Sequence, residues 1–191
     1  MLSRRSGLTF GAVALAFAAL VATSCGSKEP QPVAAAAPPP PPQLTDPQIA
    51  QIAYTAGEID IKAARLALSR SRNKDVRNFA NEMIRDHSAV NRQALALLKK
   101  LNVKPEDSDA NRSIQAEAND EYTKLSALRG PEFNKAYADN EVAYHQKVNG
   151  ALANLLIPGA QNPELKSLLE SGLKIFQGHE QMAEQLAAGL H

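Results

Sequence analysis

The sequence has a single cysteine, no tryptophan and only 5% aromatic residues. One thiol makes neither an internal disulfide nor a cysteine-rich metal site. So few rings argue against a stacking platform for single-stranded nucleic acid. Net charge is lacking too, at +1 over 191 residues. That excludes a basic chain built to coat nucleic acid or an anionic bilayer. Without the first 24 residues and their two arginines, 19 basic residues face 20 acidic ones and the balance is −1. Such a chain does not steer charged partners. It has no Gly-x-Ser-x-Gly motif and no glycine-rich phosphate loop. No stretch alternates apolar and polar residues long enough to predict a strand. Alanine, leucine, glutamine, lysine and glutamate dominate the C-terminal part, and they favour helix. The length allows one domain.

The N-terminal residues read as an address and a tether. Arg4 and Arg5 precede an uncharged apolar run from Leu8 to Ala22, the length of a signal-peptide core and short for a membrane span. The run ends in Ala22-Thr23-Ser24-Cys25, which resembles a bacterial lipobox in which Cys25 is lipidated and becomes the mature N-terminus. An ordinary signal peptide cut nearby is the alternative. By resemblance to lipoprotein sorting, Gly26 after the cysteine implies an outer-membrane anchor facing the periplasm. Ser3-Arg4-Arg5 with Leu8 also resembles part of a twin-arginine signal, the route for proteins exported folded. Ala34–Ala37 and Pro38–Pro42 then favour an extended polyproline rod of roughly 3 Å per proline. A spacer explains its place between anchor and domain; a proline-rich ligand for a partner is the other reading. The expected organisation is a signal peptide at 1–24, lipidated Cys25 with its tether at 25–44, and a helical domain at 45–191.

Apolar residues in that domain recur at three and four. The spacing predicts helices over about 47–71, 74–101, 110–129, 131–156 and from 163 onward. Asp46-Pro47, Asn73 and Asn162-Pro163 supply helix starts. Gly130-Pro131 and Ile157-Pro158-Gly159 supply stops. Four of the helices run about 24–28 residues, roughly 36–42 Å at 1.5 Å per residue. Short loops pair the first with the second and the fourth with the fifth. The shorter third helix suits a crossover between the hairpins. The expected fold is all-α, a ferritin-like four-helix bundle of two antiparallel hairpins with an additional crossover helix.

Inward polar residues carry the functional reading. His87, His145 and His179 fall on three long helices, and Asp60 lies on the fourth. At 100° per residue His87 and His179 sit within their apolar stripes, while His145 and Asp60 lie at the edges. Counted from the hairpin turns, the four groups match in depth to about a turn. Three imidazoles and a carboxylate suit one zinc or iron ion. Asp86 and Glu180, each beside a histidine, point roughly 100° away and are candidates to brace ligands from neighbouring helices. Glu58 points away from the stripe. The alternative is that each histidine is a buried residue satisfied by a Tyr, Asn or Asp. A di-iron centre is not expected, because it needs Glu-x-x-His and the positions three before the histidines hold Ile84, Val142 and Phe176.

The block Phe79-Ala80-x-x-Met83-x-x-Asp86-His87-x-x-x-Asn91 resembles the DUF4142 family, bacterial ferritin-like envelope proteins. Leu125-x-x-Leu128-x-Gly130-x-x-Phe133-x-x-x-Tyr137 followed by His145 resembles its second block, and Leu173 to His179 its third. The resemblance implies the fold and an envelope location. Where the family usually has Glu on the first helix this chain has Asp60, and Asn134 replaces the acid after the phenylalanine.

These observations support an envelope-anchored lipoprotein whose bundle binds one metal ion. A metal-free structural or stress-related bundle acting through protein contacts is the second reading. A redox or hydrolytic metalloenzyme is the third; it needs an open coordination position and a pocket.

Overall fold

The computed structural model describes residues 43–190. The signal peptide, Cys25, all but the last two residues of the tether, and His191 lie outside the described residues. Helix α1, Asp46–Arg70, begins one residue earlier than expected because Thr45, not Asp46, is its cap. Thr45 and Gln48 form a reciprocal capping box. Asp46 is thereby freed for tertiary work. Its two carboxylate oxygens accept the backbone N–H groups of Gln161 and Asn162, both at 2.8 Å. Asn73 caps α2, Lys74–Lys100, and Ser108 caps α3, Asp109–Ala127. Pro131 starts α4, Gly130–Ala151.

The expected stop at Ile157-Pro158-Gly159 falls at its last residue, Gly159, after which Ala160 is extended. Helix α4 passes into a π-helical turn, Leu152–Leu156, and then a short helix α5, Ile157–Gly159. Pro158 falls in the first turn of α5, directly after the π turn. Asn162 caps the last helix, α6, Pro163–Gly189. Among the described residues there is no strand, and no helix is long and apolar enough to cross a membrane.

Helices α1 and α2 pair, α4 and α6 pair, and α2 packs on α6 to close the bundle. Helix α3 lies chiefly against α1. The fold is the expected ferritin-like bundle of two hairpins with an additional helix between them.

The apolar core is in two parts. One gathers Ala63, Phe79, Met83, Phe133, Tyr137 and Leu186 with their neighbours. The other gathers Ile49, Ile52, Leu98, Leu156, Leu165 and Phe176 with theirs. On every long helix the polar candidates lie between the two, so a polar layer divides the core.

Hydrophobic spacing alone predicts stripes of Phe133, Tyr137, Tyr144, Val148, Leu152 and Leu155 on α4 and of Leu165, Leu168, Gly172, Ile175, His179, Met182 and Leu186 on α6, and both are rotated in the structure. On α6 the buried line runs Leu165, Leu169, Gly172, Phe176, His179, Ala183, Leu186, and Ile175 is exposed. On α4 it runs Phe133, Tyr137, Glu141, His145, Asn149, and the π turn then exposes Leu155 and buries Leu156. His145 therefore lies at the centre of its stripe, not its edge. Asp60 is buried because α1 is covered on two sides, by the bundle and by α3.

Candidate metal centre

Asp60, His87, His145 and His179 come together in the middle layer, each no more than 2% exposed. Ring nitrogens of the three histidines lie within 4.8 Å of one another. Asp60 Oδ2 is 3.2 Å from His87 Nε2 and 3.4 Å from His145 Nε2. Tetrahedral donors about 2.1 Å from an ion stand about 3.4 Å apart, so closing around one asks the imidazoles to draw inward.

Two of the imidazoles are oriented from behind. His145 Nδ1 donates to the Glu141 carbonyl one turn back, at 2.9 Å, so Nε2 carries the free lone pair. His179 Nε2 donates to Asp86 Oδ2 at 3.1 Å, so Nδ1 carries it. Arg85 in turn holds Asp86 through two contacts of 2.7 and 3.0 Å. Such outward partners fix the tautomer and aim of metal-binding histidines. His87 is positioned by stacking on Phe176, with ring centroids 4.4 Å apart and planes 10° from parallel.

The inward atoms lack partners. Asp60 Oδ1 and Oδ2, both nitrogens of His87, His145 Nε2 and His179 Nδ1 are buried without a hydrogen bond. The approach of His87 to Asp60 is short enough but not aligned as a donor to an acceptor. Buried polar atoms are nearly always paired, and leaving one unpaired costs about 1–3 kcal/mol. Several such atoms around one point fit a missing cation.

A fifth group completes the layer. Glu141 is fully buried, and its carboxylate forms a second three-donor group with Asp60 and His145. Sequence reasoning missed it; the available signal was its place one turn before His145, on the same helix face. Burial, reinforced by the charge of Asp60, pushes the Glu141 carboxyl well above its ordinary range. For Asp60, burial works upward, but the attraction of His87, His145 and His179 outweighs it and the carboxyl is lowered. Burial lowers His145 and takes His179 down to about 4. Burial thus favours the neutral form of His145 and His179, the form that a metal requires.

Of the two bracing candidates, Asp86 meets His179. Glu180 instead accepts from Asn149 Nδ2 at 2.7 Å. Glu58 is exposed at the rim, where it accepts from Asn91 Nδ2 at 2.9 Å.

The fold and this layer define a class: an all-helical bundle with a buried histidine and carboxylate cluster able to hold a metal. The chain belongs to the family "Domain of unknown function (DUF4142)", whose profile matches residues 31–186. Comparison with curated proteins returns no match. Among solved structures the fold is similar to a DUF305 fragment from Deinococcus radiodurans, with 18% identity and a TM-score of 0.67, over 78% of this chain and 99% of that one. It is also similar to CopM in the Cu(II)-bound form, with 14% identity and a TM-score of 0.59, over 78% of this chain and all of that one.

Proposed function

We propose that this protein holds one transition-metal ion through His87, His145, His179 and Asp60, serving metal binding, buffering or stability in the cell envelope. The observation that carries the reading is the set of unpaired, buried donor atoms converging from four helices. Donor chemistry favours zinc or iron. The similar bundle CopM was solved with Cu(II), which adds copper to the ions worth assaying. We further propose that Cys25 anchors the chain by lipid to the outer membrane, with residues 26–44 holding the domain off its surface in the periplasm. The lone cysteine at the end of the apolar run supports this reading.

The test is elemental analysis of the full chain purified without chelator. Wild type and His191→Ala should each carry close to one equivalent of metal. His87→Ala and His179→Ala should lose most of it. A wild type that holds well under about one-tenth of an equivalent, and takes none up when offered zinc, iron or copper, overturns the proposal.

A metal-free bundle has its own support. His87 stacks on Phe176 and lies 3.2 Å from Asp60, contacts that hold a layer together without an ion. On that reading chelator leaves the melting temperature unchanged.

A further inference from the structure

A buried cluster that takes up an ion needs a way in. Its four donor side chains are each no more than 2% exposed, so the route is set by what surrounds them. His145 leans on the carbonyl of Glu141, which is buried, and His87 stacks on Phe176, also buried. Asp86 behind His179 differs, because its side chain is 23% exposed. One of its carboxylate oxygens is 3.1 Å from His179 Nε2, and the other nitrogen of that ring is buried, unpaired and part of the cluster. Solvent, Asp86, His179 and the cluster therefore form one polar line between α2 and α6.

A second approach is apolar. Between α1, α3 and α4 lies a cavity of about 800 Å³, walled in part by Ala53, Ala56, Ala118 and Ala143. Asp60 and Glu141 stand behind its inner wall, but Asp60 Oδ1 and Oδ2 and Glu141 Oε2 are all covered. A cation in this space would shed water with no ligand presented to it, which is costly. Asp86 instead offers a charged oxygen in contact with solvent, so water is exchanged for a ligand at the surface.

Arg85 stands over that oxygen. Its exposed guanidinium reaches both carboxylate oxygens of Asp86, Nε to Oδ1 at 2.7 Å and Nη2 to Oδ2 at 3.0 Å. Nη2 also holds Glu82 at 2.9 Å. Oδ2 is the oxygen that accepts from His179. A cation approaching Asp86 meets this positive charge and has to displace it. Contacts between exposed charges are weak, so the arginine slows the approach without barring it.

We infer that the ion enters and leaves the buried layer between α2 and α6, captured first by the Asp86 carboxylate and passed inward past His179, with Arg85 as the gate. The inference rests on the metal reading and deepens it by naming the residue of first contact.

The experiment is stopped-flow mixing of the metal-free full chain with Zn²⁺, Fe²⁺ and Cu²⁺ in separate runs, uptake being followed with a metal-sensitive dye and release by mixing the loaded chain into excess EDTA. Asp86→Asn should slow uptake about tenfold, so that part of its loss of affinity lies in the association rate. Arg85→Ala should speed uptake and release together, each by about two- to fivefold, the size of an exposed ion pair, with a smaller change in their ratio. Arg72→Ala makes the same charge change in the turn between α1 and α2 and should alter neither rate. Ala56→Phe, which fills the cavity, should leave uptake unchanged. Three results overturn the inference: uptake by Asp86→Asn at the wild-type rate, its loss of affinity lying wholly in release; unchanged rates in Arg85→Ala; or slower uptake in Ala56→Phe at unaltered affinity, which would put the route through the cavity. A wild type that takes up none of the three ions overturns the metal reading itself, so the two failures are told apart.

Discussion

His179 on α6 donates its Nε2–H to Asp86 on α2 at 3.1 Å, and this bond links the two hairpins beside the buried cluster. Asp86 and His87 are neighbours in sequence, 100° apart around α2. One side chain of the pair points into the cluster and the other braces a histidine arriving from a different hairpin.

That bond sets the first prediction. Asp86→Asn keeps the shape but replaces a carboxylate by an amide, which no longer enforces the N–H on His179 Nε2. Losing an outward partner of this kind typically weakens metal binding about 10–100-fold. A metal-competition titration should show that loss with the fold intact by circular dichroism. Unchanged affinity would mean that the bond is only structural.

Gly57 tests how tightly α1 and α2 approach. A helical Gly→Ala change in open space stabilises by about 1 kcal/mol. Here an added Cβ would run into the Asn91 side chain. Asn91 donates from α2 to the Tyr54 carbonyl at 3.3 Å and to Glu58 at 2.9 Å. Displacing it loses both bonds, about 0.5–1.5 kcal/mol each. Gly57→Ala should therefore bring no gain and destabilise by up to about 2 kcal/mol in denaturant titration, and a gain in stability would show that Asn91 moves aside freely.

The third prediction concerns acid. Burial holds His179 at about 4 against an ordinary 6.5. Between those values the unfolded chain takes up more protons than the folded one, so stability falls as pH falls from about 6.5 to 4 and is fully present above. The loss is on the order of 3 kcal/mol for a shift of this size. Glu141, whose carboxyl is raised by burial, works the other way. The useful quantity is therefore the difference between wild type and His179→Gln, both in chelator. That difference should shift in favour of the variant by a few kcal/mol as the solution is acidified through this window. A pH-independent difference would show that His179 titrates normally.

The lipid anchor makes a fourth prediction, from Cys25 at the end of the apolar run. Cys25→Ser should move the protein from the membrane fraction to the soluble periplasm and remove the mass of the lipid. Retention in the membrane with unchanged mass would defeat it.

Much of this molecule was legible before any coordinates. The 3.6-residue period located the long helices, and counting from the hairpin turns put Asp60, His87, His145 and His179 at one depth. What periodicity could not supply was rotation. A stripe assigned from hydrophobicity favours Ile175 over Phe176, yet the bundle buries Phe176 because its ring lies flat on His87. The same bias passed over Glu141, a charged residue that sits fully inside. Pro158 read as a stop because the π turn before it leaves no trace in composition. Asp46 read as a cap because its bonds to Gln161 and Asn162 span more than a hundred residues.

The last prediction separates the metal-holding bundle from the metal-free one by linkage. An ion that binds only the folded chain stabilises it by RT ln(1 + [L]/Kd), about 4 kcal/mol when free metal stands a thousandfold above Kd. At about 2–4 °C per kcal/mol for a domain of this size, chelation should lower the wild-type melting temperature by roughly 8–16 °C. His87→Ala should melt low with or without chelator, since it loses both the ligand and the stack on Phe176. Phe176→Leu discriminates further. It removes the stack but no donor, so the variant should still fall on chelation, from a lower starting point and by less than wild type, because His87 is then held less firmly. If wild type, His87→Ala and Phe176→Leu each melt at the same temperature with and without chelator, the cluster is structural. Its unpaired atoms would then be a cost that the surrounding core carries.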